Sequence, residues 1–367
     1  MLIRADRLVT ATDVYEPGLL RTEGDRVVEV GPWTSGSPDL EVANLAPGLV
    51  DVHGHGGGTA SFSIDPETAI MAHRRTGTTT QIASLVTETY DDLEAQVRML
   101  ATYVESGDLA GIHLEGPWLA EEFHGAHPVP LLRDPEWSAV ERLLDAGPVK
   151  MVTVAVERPG GSEACRRMAE RGVVAAIGHT NADYETTVEA LAAGASGATH
   201  LFNAMRPIHH RAPGPIVALM AHPTAWLELI VDGTHSHPAL VKWVAEAYPE
   251  RIVFVTDAMA AAGAEDGDYI LGTLAVEVRG GVAKIAGTDT IAGSTLTLSK
   301  AVFNAVRYGV DPLVAVRAAT IQPARYLGLD AGDLIVGGRA DAVVLDENWA
   351  VTRVLRKGEW VSSPTGL

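Results

Sequence analysis

Six apolar runs in this chain end in imidazole or carboxylate groups: His53-Gly54-His55, His113-Leu114-Glu115, Gly178-His179-Thr180, Thr199-His200, Asp232-Gly233-Thr234-His235 and Thr256-Asp257. Taken singly, each is weak evidence. A lone strand-end histidine is more often a satisfied structural residue than a ligand, Asp257 alone could cap a helix, and Glu115 could be an ordinary ion-pair partner. The set reads differently if the run ends converge. Residues i and i+2 of a strand point to the same side, so His53 and His55 face one point. Four or five imidazoles and two carboxylates around that point would be costly to bury without a cation. Neutral imidazole and carboxylate are natural ligands for Zn²⁺ or Fe²⁺. An ion held this way can polarise a carbonyl and bring the pKa of water near 7, which is hydrolytic chemistry. Cys165 is the only cysteine, so neither a thiolate cluster nor an intrachain disulfide can form. His113, two residues before Glu115, points inward one layer deeper and is expected to support the ligands.

Positioning these groups requires elements that all end on one face. The apolar runs at 48–56, 78–87, 109–117, 149–157, 173–180, 197–205, 226–235 and 251–259 number eight, and several are apolar nearly throughout, as strands buried on both faces are. Between them lie amphipathic stretches with helix punctuation. Asp65-Pro66 and Asp134-Pro135 read as cap and first turn, with Gly77 and Gly147 as stops. Ser162 opens a helix that Gly172 closes. Asn181 caps another, with Val188, Leu191 and Ala192 on its apolar face, and Asp311-Pro312 starts one running to Gly328. Eight strands alternating with helices predict a closed (β/α)8 TIM-type barrel, with catalytic groups at the C-terminal strand ends. The alternative is an open doubly wound sheet. Residues 1–46 and 335–367 contain short strands split by Gly and Pro, too few at either end to stand alone. They are expected to pair into one small β-sandwich flanking a catalytic barrel of residues 47–334. Residues 268–287 read as an inserted hairpin turning at Gly280-Gly281.

At 367 residues, with 47% hydrophobic and 20% charged, the chain has the composition of a soluble globular protein. Its formal charge of −19 argues against nucleic acid or an anionic membrane as partner. No apolar run reaches the roughly 18 residues of a membrane span. The first residues, MLIRADRLVT, lack a signal peptide's apolar core, so a cytoplasmic location is expected.

The ordered set PGLVDVHGHG, LEGP, GHT, THLFNAM, DGTH and VTDAM resembles the N-acetylglucosamine-6-phosphate deacetylase family of the amidohydrolase superfamily. LAPGLVD and GGRADAVVLD resemble that superfamily's sandwich domain, so the likeness spans essentially the whole chain. HxH is a superfamily signal, whereas LEGP together with THLFNAM points to amino-sugar phosphate deacetylases. The resemblance implies Glu115, His179 and His200 as primary metal ligands, with His53 and His55 helping to hold a second ion. It implies one or two divalent ions, zinc first, with iron, manganese or cobalt as alternatives. Asp257 matches the acid/base, and Ala126-His127 the segment that contacts the N-acetyl group. Asn203 and Ala204 match a substrate-contacting pair, and Ile291-Ala292-Gly293 a backbone segment near the sugar. Arg211 and His235 match phosphate-binding residues, and Asp232 is grouped with them as substrate-binding. A homodimer is implied, with Arg211 and His235 able to reach the neighbouring subunit's substrate. Arg206, His209 and His210 make the segment around Arg211 locally basic, as a phosphate pocket requires. His209 and His210 are expected to belong to that pocket, the alternative being an exposed loop with incidental charge, and His124 is expected to be a solvated loop histidine.

The implied reaction is hydrolysis of the acetamide of N-acetyl-D-glucosamine 6-phosphate, in amino-sugar catabolism and cell-wall sugar recycling. Asp257 would move the proton, and His127 with a metal would stabilise the oxyanion. N-acetylgalactosamine 6-phosphate is the rival substrate, since the epimers differ at one hydroxyl. A dihydroorotase or hydantoinase would need a lysine at the end of strand four, where this chain has Val154-Ala155-Val156-Glu157 with Lys150 at the start. An adenosine-deaminase-like enzyme would not account for LEGP, THLFNAM or the terminal strands. A non-catalytic scaffold should have lost ligands, yet every expected position is filled.

Overall fold

The structure, a computed structural model, describes residues 1–362. Its centre is a ring of eight parallel strands built from the eight apolar runs: Leu49–Asp51, Thr78–Gln81 continuing as Ala83–Leu85, Ile112–Glu115, Val149–Val154, Val174–Ile177, Gly197–Ala198, Trp226–Ile230 and Ile252–Val255. Each pairs in parallel with the next. The ring closes where Gly54 bridges Ala258 and the Asp257 N–H donates to the His53 carbonyl at 2.8 Å. Closure rules out the open sheet. The helices Pro66–Arg75, Tyr90–Glu105, Trp137–Ala146, Gly161–Glu170, Tyr184–Ala193, Gly214–Ala221, Pro238–Ala247 and Leu298–Arg307 follow the strands in turn. They cover the outside because a right-handed crossover leaves them nowhere else to pack.

Asp65 caps its helix as the sequence suggests, its carboxylate accepting from the Thr68 N–H at 3.2 Å. Other boundaries move for identifiable reasons. The helix expected at Asp134-Pro135 begins at Trp137, because the Asp134 carboxylate is taken by Arg158 at 2.9 Å. Gly161 rather than Ser162 opens its helix. Asp183 replaces Asn181 as cap, accepting from the Thr186 N–H at 2.8 Å, while the Asn181 N–H donates to Glu157. Val188 and Ala192, expected on the apolar face, are exposed, Val188 to 43%, while Leu191 is buried as expected together with Thr187 and Ala190. The helix predicted from Pro312 to Gly328 is two, Pro312–Ala318 and Ile321–Leu327. Pro323 lacks the N–H that would bond the Ala319 carbonyl, and that carbonyl instead accepts from Val50 in the first barrel strand at 2.9 Å.

The chain's ends meet in one continuous eight-stranded sheet. From edge to edge its strands run Glu359–Trp360, Val351–Arg356, Ala342–Leu345, Leu40–Pro47, Leu2–Val9, Gly18–Glu23 and Arg26–Pro32, with Val14–Tyr15 beside Leu2–Val9. It has its own core of Ile3, Leu20, Leu45, Ala342 and Leu355. Residues 363–367, assigned to this unit from sequence, lie outside the described residues. The insertion after strand eight is a three-stranded meander, Gly267–Leu271, Leu274–Arg279 and Val282–Ile285, rather than a two-stranded hairpin. Its Val276, Val278 and Ala283 pack on Met259 and Ala292, which sets Leu271 over the mouth of the barrel. None of the described helices is long and apolar enough to cross a membrane.

Candidate active site

The C-terminal strand ends hold the polar residues, and they do so with bent backbone. His179, His200, Phe202, Ala204 and Asp257 all have positive φ, between +29° and +79°, where side-chain-bearing residues are uncommon. Such turns break the strand so that its last side chain looks along the barrel axis. Strain of this kind persists only where surrounding structure enforces it. Beneath lies a polar floor. His113 Nε2 meets Thr153 Oγ1 at 2.8 Å, Thr153 meets Thr199 at 2.8 Å, and the Thr256 hydroxyl donates to Asp51 Oδ2 at 2.7 Å. His113 is fully buried, and burial first, then neighbouring imidazoles, push its pKa well below the ordinary histidine value.

Glu115 sits at the centre. Its Oε1 lies 3.2 Å from His179 Nε2, 3.1 Å from His200 Nε2 and 3.5 Å from His53 Nε2. Its Oε2 lies 3.0 Å from His55 Nε2 and 3.6 Å from His127 Nε2. Asp257 Oδ1 approaches His55 Nε2 at 3.2 Å and His53 Nε2 at 3.5 Å. Two sets of groups are thereby close enough to share an ion each: His53, His55, Glu115 and Asp257, and Glu115, His179 and His200. Glu115 belongs to both.

The hydrogen bonds behind the imidazoles decide which nitrogen faces the cluster. The Nδ1–H of His179 donates to the Phe123 carbonyl at 2.7 Å, that of His55 to the Ser84 carbonyl at 3.2 Å, and that of His53 to Glu228 Oε2 at 3.2 Å. Each leaves its Nε2 lone pair pointing at the carboxylates. His179 and His200 bring two Nε2 atoms within 3.1 Å of each other, and His53 Nε2 is buried with no hydrogen-bond partner. Converging lone pairs around buried carboxylates fit a divalent cation. The titration behaviour agrees. Burial alone would favour the neutral form of every group here. Instead the nearby imidazoles, His53 foremost, hold Glu115 well below the usual carboxylate range, and His53 and His55 depress Asp257. Burial also opposes protonation of His53 and His55, yet the carboxylates raise both, His55 to about 9. The centre attracts positive charge, whether protons or a metal.

His127 is the exception. Burial, then His179, push its pKa down to about 3, so the ring is neutral. Its Nδ1 accepts the Thr87 N–H at 3.3 Å and meets the Thr87 hydroxyl at 2.9 Å, so the proton sits on Nε2, which faces the cluster.

Above these groups opens a cavity of about 300 Å³ lined by His55, Glu115, His127, His179, His200 and Asp257 together with Ala126, Asn203, Ala204, His235, Ile291 and Gly293. Most residues singled out from sequence are thus gathered here. Ala292 is fully buried behind the lining. Asp232 stands behind His235, its Oδ2 2.6 Å from His235 Nδ1. Burial opposes protonation of His235, but that hydrogen bond and the Asp232 charge outweigh it and raise its pKa. Arg211 is not brought in: it is exposed, outside the lining, with Nη1 2.7 Å from His210 Nε2. His124 bonds the His127 carbonyl through Nδ1 at 2.9 Å, and Cys165 is packed, its thiol pushed up to about 12 by burial.

Sequence reasoning missed Glu228, Thr87, Val86, Glu122, Phe123 and Leu271. Glu228 left a trace, as an acid in the apolar run WLELIV in register with Asp232. Leu271 left none, since its place in the lining comes from the docking of the inserted sheet.

The amidohydrolase family profile matches residues 44–361. The chain is 36% identical to human N-acetylglucosamine-6-phosphate deacetylase, covering 98% of this chain and 92% of that one. It is 33% identical to N-acetylgalactosamine-6-phosphate deacetylase of Escherichia coli O157:H7, covering 98% and 99%. Among solved structures, N-acetyl-D-glucosamine-6-phosphate deacetylase of Mycobacterium smegmatis, an Asp-to-Ala variant in complex with N-acetyl-D-glucosamine-6-phosphate, superposes with a TM-score of 0.96 at 48% identity, covering 98% of each chain. With its barrel, its strand-end ligand cluster and a match over most of its length, this chain belongs to the amidohydrolase family.

Proposed function

We propose that this chain hydrolyses the acetamide of N-acetyl-D-glucosamine 6-phosphate to acetate and D-glucosamine 6-phosphate, serving amino-sugar catabolism and cell-wall sugar recycling. The observation that carries this reading is the meeting of His179, His200, His53 and His55 on Glu115, with Asp257 and a neutral His127 beside them at the base of one cavity. Glu115, His179 and His200 would hold one divalent ion, and His53 and His55 a second that shares Glu115. Zinc suits these nitrogen and oxygen donors, with iron, manganese or cobalt as alternatives. A bound ion supplies Lewis-acid polarisation and a lower pKa for water.

The chain's own groups do the rest. Asp257, kept ionised, takes the proton of the attacking water and delivers it to the departing nitrogen. The His127 Nε2–H donates to the carbonyl oxygen as it gains negative charge. Thr87 fixes the tautomer that makes this donation available. His235, its protonated form favoured by Asp232 behind it, receives the phosphate and so sets the acetamide over the cluster. Ala126, Asn203, Ala204 and the backbone of 291–293 shape the walls around the sugar.

No Lys or Arg lines the cavity among the described residues, yet the substrate carries a phosphate. We therefore read the chain as a homodimer in which Arg211 serves the neighbouring copy. A cytoplasmic location suits a phosphorylated sugar, whose charge keeps it from crossing membranes.

The test is acetate release from a panel of N-acetylhexosamines, with and without phosphate, before and after chelation. N-acetylglucosamine 6-phosphate should lead the panel, and chelation should abolish turnover. Failure to release acetate from any phosphorylated hexosamine would sink the proposal. The second reading, a deacetylase for N-acetylgalactosamine 6-phosphate, draws on the full-length 33% relative and is decided by the same panel.

A further inference from the structure

Glu228 is fully buried in barrel strand seven, below the ligand cluster. Among the described residues its one ionic partner is His53, and no Lys or Arg reaches it. Its Oε2 accepts the His53 Nδ1–H at 3.2 Å and the backbone N–H of His200 at 3.3 Å, while Oε1 has no partner. On its other side lies the Tyr326 phenol, kept protonated by burial first and by the Glu228 charge second. The Tyr326 hydroxyl lies against Gly197, where a Cβ would come within 2.0 Å of it. Of the groups around this buried carboxylate, only the His53 imidazole can carry a compensating charge.

The supports behind the ligands are not equal. His55 and His179 donate to uncharged backbone carbonyls, and His200 Nδ1 has no partner. Only His53 is backed by a carboxylate, which makes its Nε2 the most basic donor of the set. With Glu228 counted, three carboxylates converge on the centre. A single divalent ion would leave it with one negative charge, and a second would reverse that.

We propose that Glu228 is a positioning residue which, acting through His53, makes the His53–His55 position a full ion site beside the one at Glu115, His179 and His200. This rests on the metal-hydrolase reading above. Zinc titration of the chelator-stripped full-length chain against a competing chromophoric chelator tests it, with Glu228→Gln and Glu228→Met. Glutamine keeps an oxygen for His53 and His200 but loses the charge. The parent should take up two equivalents. Each variant should keep one at parental affinity and bind the other roughly 10–100-fold more weakly. Adding zinc should raise the melting temperature of each variant by less than it raises that of the parent.

Two equivalents at parental affinity in the variants would overturn the proposal, and so would equal weakening of both. A lower metal-free melting temperature with zinc affinities intact would reduce Glu228 to a packing role. One equivalent in the parent would overturn it too while leaving the metal reading standing, whereas no zinc in the parent would defeat both.

Discussion

Asp257 and His235 face the same cavity from different strands, and their neighbours shift their titration in opposite directions. Asp257 is depressed by His53 and His55 and stays ionised, which suits a proton acceptor. Asp257→Asn keeps the side-chain shape, so the variant should retain its metal while kcat falls roughly 10²–10⁴-fold. Metal analysis beside steady-state kinetics checks this, and unchanged turnover would remove Asp257 from the proton path. For His235 the sign is set by Asp232, which lifts the folded pKa above the ordinary value of about 6.5. Asp232 thus favours its cationic form, which is lost as pH climbs through the raised pKa. KM for the phosphorylated substrate should rise on that alkaline limb with kcat little changed, and His235→Gln should flatten the rise. The stability that protonated His235 contributes follows the same course, complete below about 6.5 and gone above the raised value. A KM independent of pH in the parent would mean that His235 does not hold the phosphate.

At the scale of elements, the site depends on how strands end. Gly116 follows Glu115 with φ +89°, and a Cβ there would lie 2.2 Å from Thr87 Oγ1, the hydroxyl that meets His127. Gly116→Ala should therefore cost about 1–3 kcal/mol of stability by overpacking. It should also lower kcat by disturbing His127, a pairing visible in urea melts and kinetics together. Parental kcat in a destabilised Gly116→Ala chain would separate Thr87 from the chemistry. Helix ends matter less here, and they are also where reading the sequence failed. Asp134 and Asn181 have good cap chemistry, but Arg158 takes the Asp134 carboxylate, and the Asn181 backbone N–H is held by Glu157 while Asp183 caps the helix. Local propensity cannot see such competitors.

For the whole molecule, the proposed dimer turns on where the guanidinium of Arg211 acts, since no Lys or Arg lines the cavity among the described residues. Arg211 is exposed, outside the cavity lining, with Nη1 2.7 Å from His210 Nε2. If a second copy supplies the guanidinium, Arg211→Ala and Asp257→Asn chains, each inactive alone, should complement when mixed and allowed to exchange. Random pairing of equal amounts would restore about a quarter of parental activity, since half the dimers are mixed and each has one intact site. No recovery after verified subunit exchange would place Arg211 in its own chain's site or outside it.

Reading the sequence by itself was enough for the eight strands, the closed ring of alternating helices, the residues at each strand end and the metal chemistry they suit. These follow from local pattern, because burial on both faces demands apolar runs and ligand chemistry demands particular side chains. Only the tertiary structure decided that Asn181 is no cap, that the last long helix breaks at Ala319, that Arg211 stays outside the cavity and that Glu228 and Thr87 stand behind His53 and His127. Arg211 apart, each of those depends on a partner far away in the chain. The energy of a hydrogen bond or a buried charge is set by what lies across the gap, and sequence order does not record that distance.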